Sequence, residues 1–312
     1  MTKLEKTNNT NIDFDSFKSG YVTILGRPNS GKSTLLNLII GSKISIVTRK
    51  PQTTRKNILG VFTDQNCQMI FFDTPGIHVH KGSKLNELMV TRALGAINEA
   101  DVILYMVDAK TGLTRDDRLI ISKLKNHVKK CIVAINKIDL ISKDFILPII
   151  HELSNNYSFT KIVPISAKHE DGIGVLSEEI KSSLLNGPLY YSSDYVTDVS
   201  IREICGEIIR EKLFKILKQE IPYSVMVEVE KFVEADETQN KKLVEIYATV
   251  FVERTTQKAI VIGKNGSMLK KIGSFAREDI EKLVGRQCFL EIFCKVREGW
   301  TDDNRFLKEY GF

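Results

Sequence analysis

Eight residues between the apolar runs YVTIL and TLLNLII carry the first recognisable chemistry: Gly26-Arg27-Pro28-Asn29-Ser30-Gly31-Lys32-Ser33. The two glycines permit a tight loop whose backbone N–H groups turn inward. A helix opening near Gly31 adds the positive end of its dipole, and such a loop cradles phosphate. Lys32 can reach the β- and γ-phosphates of a nucleoside triphosphate, and the Ser33 hydroxyl can ligate Mg²⁺. Asp73-Thr74-Pro75-Gly76 closes the apolar run QMIFF and is followed by Ile77. A carboxylate at the tip of a buried strand suits the acidic partner that a nucleotide-bound Mg²⁺ requires. The Gly76 N–H is then placed to meet the γ-phosphate.

The base is read from Asn136-Lys137-Ile138-Asp139, again at the end of an apolar run. Asp139 can accept two hydrogen bonds from the pyrimidine edge of guanine, which adenine cannot supply. Asn136 can donate to the imidazole-ring nitrogen, and the stem of Lys137 can cover the ring. Buried polar complementarity of this kind rejects the wrong base strongly. Ser166 and Ala167, with Lys168 after KIVPI, offer backbone N–H groups to the guanine carbonyl oxygen. The polar, basic segment 49–56, RKPQTTRK, has the character of a mobile γ-phosphate sensor. Either Thr53 or Thr54 can supply its Mg²⁺-binding hydroxyl. Ile77 occupies the position where Ras-like GTPases carry the glutamine that orients the attacking water. Slow intrinsic hydrolysis is therefore expected, accelerated by a partner, an ion or a rearranged loop. His78 and His80 stand nearby and read as solvated loop residues.

These pieces need elements to hold them on one edge. The apolar runs 21–25, 68–72, 102–108, 131–136 and 161–166 alternate with helical patterns at 33–40, 84–99, 115–125 and 146–155. That alternation predicts an α/β domain with a mostly parallel sheet and helices on both faces. A further run, 56–63, is expected to pair antiparallel with 68–72. Residues 1–20 form a polar arm, 21–187 the nucleotide domain and 188–200, with Asn186-Gly187-Pro188 at its start, the linker. From 201 to 312 the order changes to helix, two strands, short helix, glycine turn, helix and strand, a smaller α+β domain.

In that second domain Gly263-Lys264-Asn265-Gly266 lies between two helical stretches. A G-x-x-G turn of this kind lets nucleic-acid phosphates approach the main chain, as in KH domains, and Lys264 adds charge. Lys258, Lys270, Lys271 and Arg277 extend the basic surface. Ile262, with Ile260 and Ile272, is expected to line a groove for unpaired bases. Trp300 reads as packing for the terminal helix.

A chain of 312 residues accommodates two domains, and 42% hydrophobic with 27% charged residues is the balance of an ordinary globular protein. The net charge of +6 permits a polyanionic partner. Five cysteines without a C-x-x-C pair suggest reduced thiols rather than a disulfide or zinc framework. The N-terminus lacks the apolar core of a signal peptide, and no stretch approaches a membrane span.

Taken together, GRPNSGKS, PQTTR, DTPGIH, NKID and ISAK resemble the translation-factor-related GTPases. PQTTR followed by DTPGIH, with the G-K-N-G module and the ending CKVREGWTDDNRFLKEYGF, resembles the bacterial Era family over nearly the whole chain. The resemblance implies a P-loop GTPase domain followed by a type II KH domain, with GTP or GDP and Mg²⁺ as cofactors. It also implies that the KH domain grips a single-stranded region of small-subunit ribosomal RNA during 30S subunit assembly, and that GTP favours the RNA-competent arrangement. A cytoplasmic monomer with peripheral association at the inner membrane is expected on the same ground. Two other functions fit the residues: a GTPase acting on another RNA such as tRNA, and an RNA-binding or membrane-associated scaffold with a structural nucleotide.

Overall fold

The structure is a computed structural model that describes residues 16–48, 50, 53–77, 83–124, 130–217, 221–235 and 243–312. It divides into two compact units, the second built around Val199–Phe312.

In the first unit the sheet order is β2 (Ile58–Thr63), β3 (Cys67–Asp73), β1 (Lys18–Gly26), β4 (Val102–Asp108), β5 (Lys130–Asn136) and β6 (Lys161–Ile165). The strands run parallel except β2, which forms the expected antiparallel hairpin with β3. Their near-continuous apolar composition follows from burial on both faces; in β4, Val102 to Val107 are all buried. Helices α1 (Lys32–Ile40), α2 (Lys84–Glu99), α3 (Arg115–Leu124), α4 (Ile146–Asn156) and α5 (Ile173–Ser183) supply the crossovers. In α3, Asp117, Ile120, Ile121 and Leu124 face inward at helical spacing. A two-residue strand, β7 (Leu185–Asn186), pairs with the start of β1 and escaped the sequence pattern.

Strand register brings the chemistry level. Ile24 lies opposite Asp73, Gly26 opposite Met106, and Asn136 opposite both Asp108 and Ile165. The chain leaves β1 towards β2 and β3 on one side, whereas it leaves β4 towards β5 on the other, so the topological switch point where ligands of such sheets bind lies between β1 and β4.

The second unit runs α6 (Ile201–Ile216), β8 (Met226–Val233), β9 (Val244–Val252), α7 (Thr255–Ile262), α8 (Ser267–Val284), β10 (Cys288–Val296) and α9 (Asn304–Glu309). β9 is the centre of a three-stranded sheet, parallel to β10 and antiparallel to β8. Helix α6 opens at Ser200 with a reciprocal capping box to Glu203. One core joins α6, α8 and the sheet through Ile208, Leu213, Ile246, Val250, Ile272 and Ile280. Ile272 is therefore core, not the groove residue expected from sequence: it shares the buried face of α8 with Ala276 and Ile280, one helical repeat apart. Trp300 is wholly buried, its Nε1 donating to Ser224 O at 3.0 Å, with its ring 5.9 Å from Phe306 of α9.

Candidate functional site

Helix α1 starts at Lys32, capped by Gly31 in the left-handed region at φ 101°. A Cβ at Gly31 would sit 2.1 Å from Asn136 Nδ2, so only glycine fits. Lys32 is not on an exposed loop. It is buried, its Nζ donating to Gly26 O at 3.2 Å and Arg27 O at 3.0 Å. Burial lowers its pKa to about 8, against the pull of Asp73. The loop thus holds an ammonium folded back on its own carbonyls, poised for phosphate oxygens.

At the mouth of α1 four oxygens gather. Ser33 Oγ donates to Asp73 Oδ2 at 2.6 Å, Ser45 Oγ donates to the same atom at 3.0 Å, and Thr54 Oγ1 lies 2.8 Å from Ser33 Oγ. Thr54 is buried and also reaches Asp73 Oδ2 at 3.4 Å; Thr53 is half-buried beside it. Asp73 is wholly buried, and its Oδ1 has no hydrogen-bond partner. Burial raises its pKa, while Lys32 and the three hydroxyls pull it down. An all-oxygen set with an orphaned carboxylate oxygen fits Mg²⁺, a hard cation. Sequence reasoning missed Ser45; Asn37 holds it by accepting from its N–H at 2.9 Å and donating to its carbonyl at 2.6 Å.

The Asp73–Gly76 turn presses on the phosphate loop. Thr74 Oγ1 donates to Ile24 O at 2.7 Å, Ile77 N donates to Gly26 O at 3.2 Å, and a Cβ at Gly76 would meet Pro28 N at 2.6 Å. The Ile77 side chain turns into the core with Leu25 and Ala93. His78 and His80 lie outside the described residues, as do residues 1–15, 49, 51 and 52.

Asn136, expected to read the base, is engaged inside the protein. Its Nδ2 donates to Ser30 O at 2.8 Å, and its Oδ1 accepts from Lys137 N at 2.8 Å and Ala167 N at 2.9 Å. The Ala167 N–H expected to meet a guanine carbonyl is thus engaged inside the protein, and the Ser166 N–H donates to Asp171 O at 2.9 Å. Lys137, in the left-handed region, anchors its ammonium on Asn29 O at 2.6 Å and Asp108 Oδ2 at 2.5 Å, which lays its stem along the cleft. Ile138 follows in a short 3₁₀ turn with Asp139. Asp139 Oδ1 accepts from Ser166 Oγ at 2.6 Å, the main reason its pKa falls below the usual carboxylate range. Arg27 carries a second link that sequence did not reveal, an ion pair with the buried Asp117 at 2.7 Å. The readable signal was Thr114-x-x-Asp117, a capping pattern ahead of an apolar run.

In the second unit the turn between α7 and α8 takes positive φ at three of its four residues, Gly263 (φ 72°), Asn265 (φ 52°) and Gly266 (φ 76°), with Asn265 and Gly266 in the left-handed helical region. A Cβ at Gly263 would lie 2.6 Å from Met268 Cβ, whereas Gly266 faces open space. Lys264, Lys270, Lys271 and Arg277 are exposed, and Lys258 and Ile262 half-buried. Arg277 also lies 3.8 Å from Glu281. The turn and α8 therefore present bare backbone and cations together.

Two domain families match this chain: residues 21–137 match a family described as 50S ribosome-binding GTPase, and residues 220–301 match the KH domain. The chain is a P-loop GTPase carrying a KH domain. GTPase Era of Geobacter metallireducens is 47% identical over 95% of this chain and 98% of its own length, and that of Syntrophus aciditrophicus is 46% identical over 95% of each. A crystal structure of Era in complex with MgGDPNP and nucleotides 1506–1542 of 16S ribosomal RNA superposes with a TM-score of 0.90, at 39% identity over 95% of this chain and 99% of that one. A variant of Aquifex aeolicus Era bound to GDP·AlF4⁻ gives the same TM-score at 38% identity and the same coverage. The chain belongs to the Era family.

Proposed function

We propose that this chain hydrolyses GTP to GDP and phosphate as a switch, and that its GTP-bound state grips single-stranded RNA near the end of small-subunit ribosomal RNA during 30S assembly. One observation carries the nucleotide half. Ser33, Thr54 and Asp73 converge at the N-terminus of α1, with Asp73 Oδ1 buried and without a partner. In this reading Gly26–Ser33 wraps the phosphates, with Lys32 on the β- and γ-oxygens. Ser33, Thr54 and Asp73 hold Mg²⁺, which neutralises charge developing on the transferred phosphoryl group. The Gly76 N–H meets the γ-phosphate, Asp139 reads guanine, and Lys137 covers its ring. Ile77 cannot orient a water, so intrinsic turnover is slow and depends on assistance.

Residues 21–187 form the catalytic domain and 201–312 the RNA-binding domain, joined by 188–200. Lys258, Ile262, Gly263-Lys264-Asn265-Gly266, Lys270, Lys271 and Arg277 clamp the RNA backbone. The support is the G-K-N-G turn, with positive φ at Gly263, Asn265 and Gly266, and the RNA-bound relative. The chain acts as a cytoplasmic monomer, with peripheral association on the inner membrane. No helix among the described residues is long and apolar enough to cross a membrane, so this association would be made from the surface.

The test measures single-turnover GTP hydrolysis with and without a 3′ fragment of small-subunit ribosomal RNA, and RNA affinity in GDP and in a non-hydrolysable GTP analogue. Faster turnover with RNA and tighter RNA binding with the analogue are expected. Equal RNA affinity in both nucleotides overturns the switch, and preference for ATP overturns the site.

A further inference from the structure

The carboxylate of Asp117 lies in the first turn of α3, wholly buried. A buried carboxylate is costly unless its oxygens are matched by donors. Here the match is dense. Tyr105 OH from β4 donates to Oδ1 at 2.8 Å; Thr114 N donates to Oδ2 at 2.9 Å and Thr114 Oγ1 to Oδ2 at 2.6 Å. These three donors belong to the sheet interior and to the start of the helix, so they fix where the carboxylate sits. The remaining contact reaches outward and is electrostatic: Arg27 Nε lies 2.7 Å from Oδ2 in an ion pair whose geometry is not that of a hydrogen bond. A hydrogen bond that Arg27 Nη2 donates to Thr111 Oγ1 at 2.6 Å sets the plane of the guanidinium. The carbonyl of that same Arg27 accepts from Lys32 Nζ at 3.0 Å. A continuous line of contacts therefore runs from β4 through α3 and Arg27 to the phosphate lysine.

We infer that Asp117 is a positioning residue for the phosphate loop: it holds Arg27, and the Arg27 main chain sets where the Lys32 ammonium waits for phosphate. The inference rests on the nucleotide-site reading above. A purely architectural ion pair would stabilise the fold and leave phosphate affinity alone. A positioning pair instead changes affinity only while Lys32 is present to be positioned. The β4–α3 connection then braces the loop twice, because Asp108 at the end of β4 also pairs with Lys137, whose ammonium holds Asn29 O.

The experiment is a double-mutant cycle on the full chain, reading the Kd of a fluorescent GTP analogue with Mg²⁺ for wild type, Arg27→Met, Lys32→Met and the pair. Coupled neighbours show interaction energies well above those of independent sites. Arg27→Met is expected to weaken binding about tenfold with Lys32 present and less than twofold in the Lys32→Met background. Arg27→Lys, which keeps the charge but loses the fork, should recover part of the loss. Asp117→Asn should weaken binding in the same direction and add little to Arg27→Met. An Arg27→Met protein within twofold of wild type, or losing the same factor in both backgrounds, overturns the inference. If Arg27→Met does not fold, Arg27→Lys runs the same cycle and is judged by the same cancellation. A wild-type chain that binds no guanine nucleotide strikes the site reading instead, and is told apart by the first titration.

Discussion

Replacing Lys32 with methionine should separate what the phosphate lysine does for the ligand from what it costs the ligand-free fold. Nζ is buried and its pKa is lowered from 10.5 to about 8. By linkage the folded chain holds that proton about 3 kcal/mol less firmly than the unfolded chain does. A folded value below the unfolded one, for a base, means that the unfolded chain binds more protons between the two values. Wild-type stability therefore rises as pH climbs from about 8 towards 10.5. Methionine removes the penalty but leaves Gly26 O and Arg27 O without their donor, a loss of about 1 kcal/mol each. The net gain near pH 7 is about 1 kcal/mol, or roughly 3 °C in Tm for a unit of this size. By pH 9.5 the wild type has recovered about 2 kcal/mol as Lys32 loses its proton, so the variant should then be the less stable by about 1 kcal/mol. Thermal unfolding of nucleotide-free protein in EDTA at the two pH values measures both, and GTP titration should show that the variant has lost triphosphate affinity. A variant less stable than wild type by the same margin at both pH values would refute the reasoning.

Thr54→Val removes the hydroxyl 2.8 Å from Ser33 Oγ and should raise the Mg²⁺ concentration needed for GTP binding several-fold, with little effect on GDP; Thr53→Val should not, and titrating Mg²⁺ against each nucleotide checks this. Asp139→Asn deletes the carboxylate that Ser166 Oγ steadies at 2.6 Å, and should lower GTP affinity by roughly two orders of magnitude while leaving Tm nearly unchanged; equal GTP Kd values would contradict the base-reading role. Gly266→Asp introduces a carboxylate where the turn faces open space, in a left-handed conformation that aspartate tolerates. It should weaken binding of single-stranded ribosomal RNA about tenfold through repulsion of phosphate, leaving GTP affinity intact; filter binding and nucleotide titration on the same preparation decide it. Aspartate at Gly263 is a poorer probe, because its Cβ would collide with Met268.

The parts of the fold legible in sequence are those whose signal is local. The runs 102–108 and 131–136 read as strands because parallel strands buried on both faces must be apolar throughout, and the helix after the glycine turn, α8, is legible because glycines in the left-handed conformation bound it at each end. What stayed hidden depends on partners far along the chain. The two residues of β7 pair with β1 across more than 160 positions and carry no period. Ile272 looked like a groove residue because an isoleucine near a G-x-x-G turn is ambiguous until the rotation of α8 is known. Asp117 was illegible for a different reason. Its role is set by a strand tyrosine, a helix cap and a loop arginine, and only the cap lies nearby in sequence.

Motif letters also understate how far each residue is shared. Asn136, expected from sequence to contact the base, donates to Ser30 O in the phosphate-loop motif and accepts from Ala167 N. Gly31 is confined to glycine by the Asn136 amide as much as by its own φ of 101°. Three loops spread over more than a hundred residues are thus one hydrogen-bonded body at the sheet edge, with Arg27–Asp117 and Lys137–Asp108 tying it to β4 and α3. Buried networks of this kind act together, since loosening one member leaves other polar groups without partners. Under the proposed function, phosphate holding and base reading are accordingly two faces of one hydrogen-bonded element, which is why fixed spacing along the sequence can announce a site whose internal geometry it does not contain.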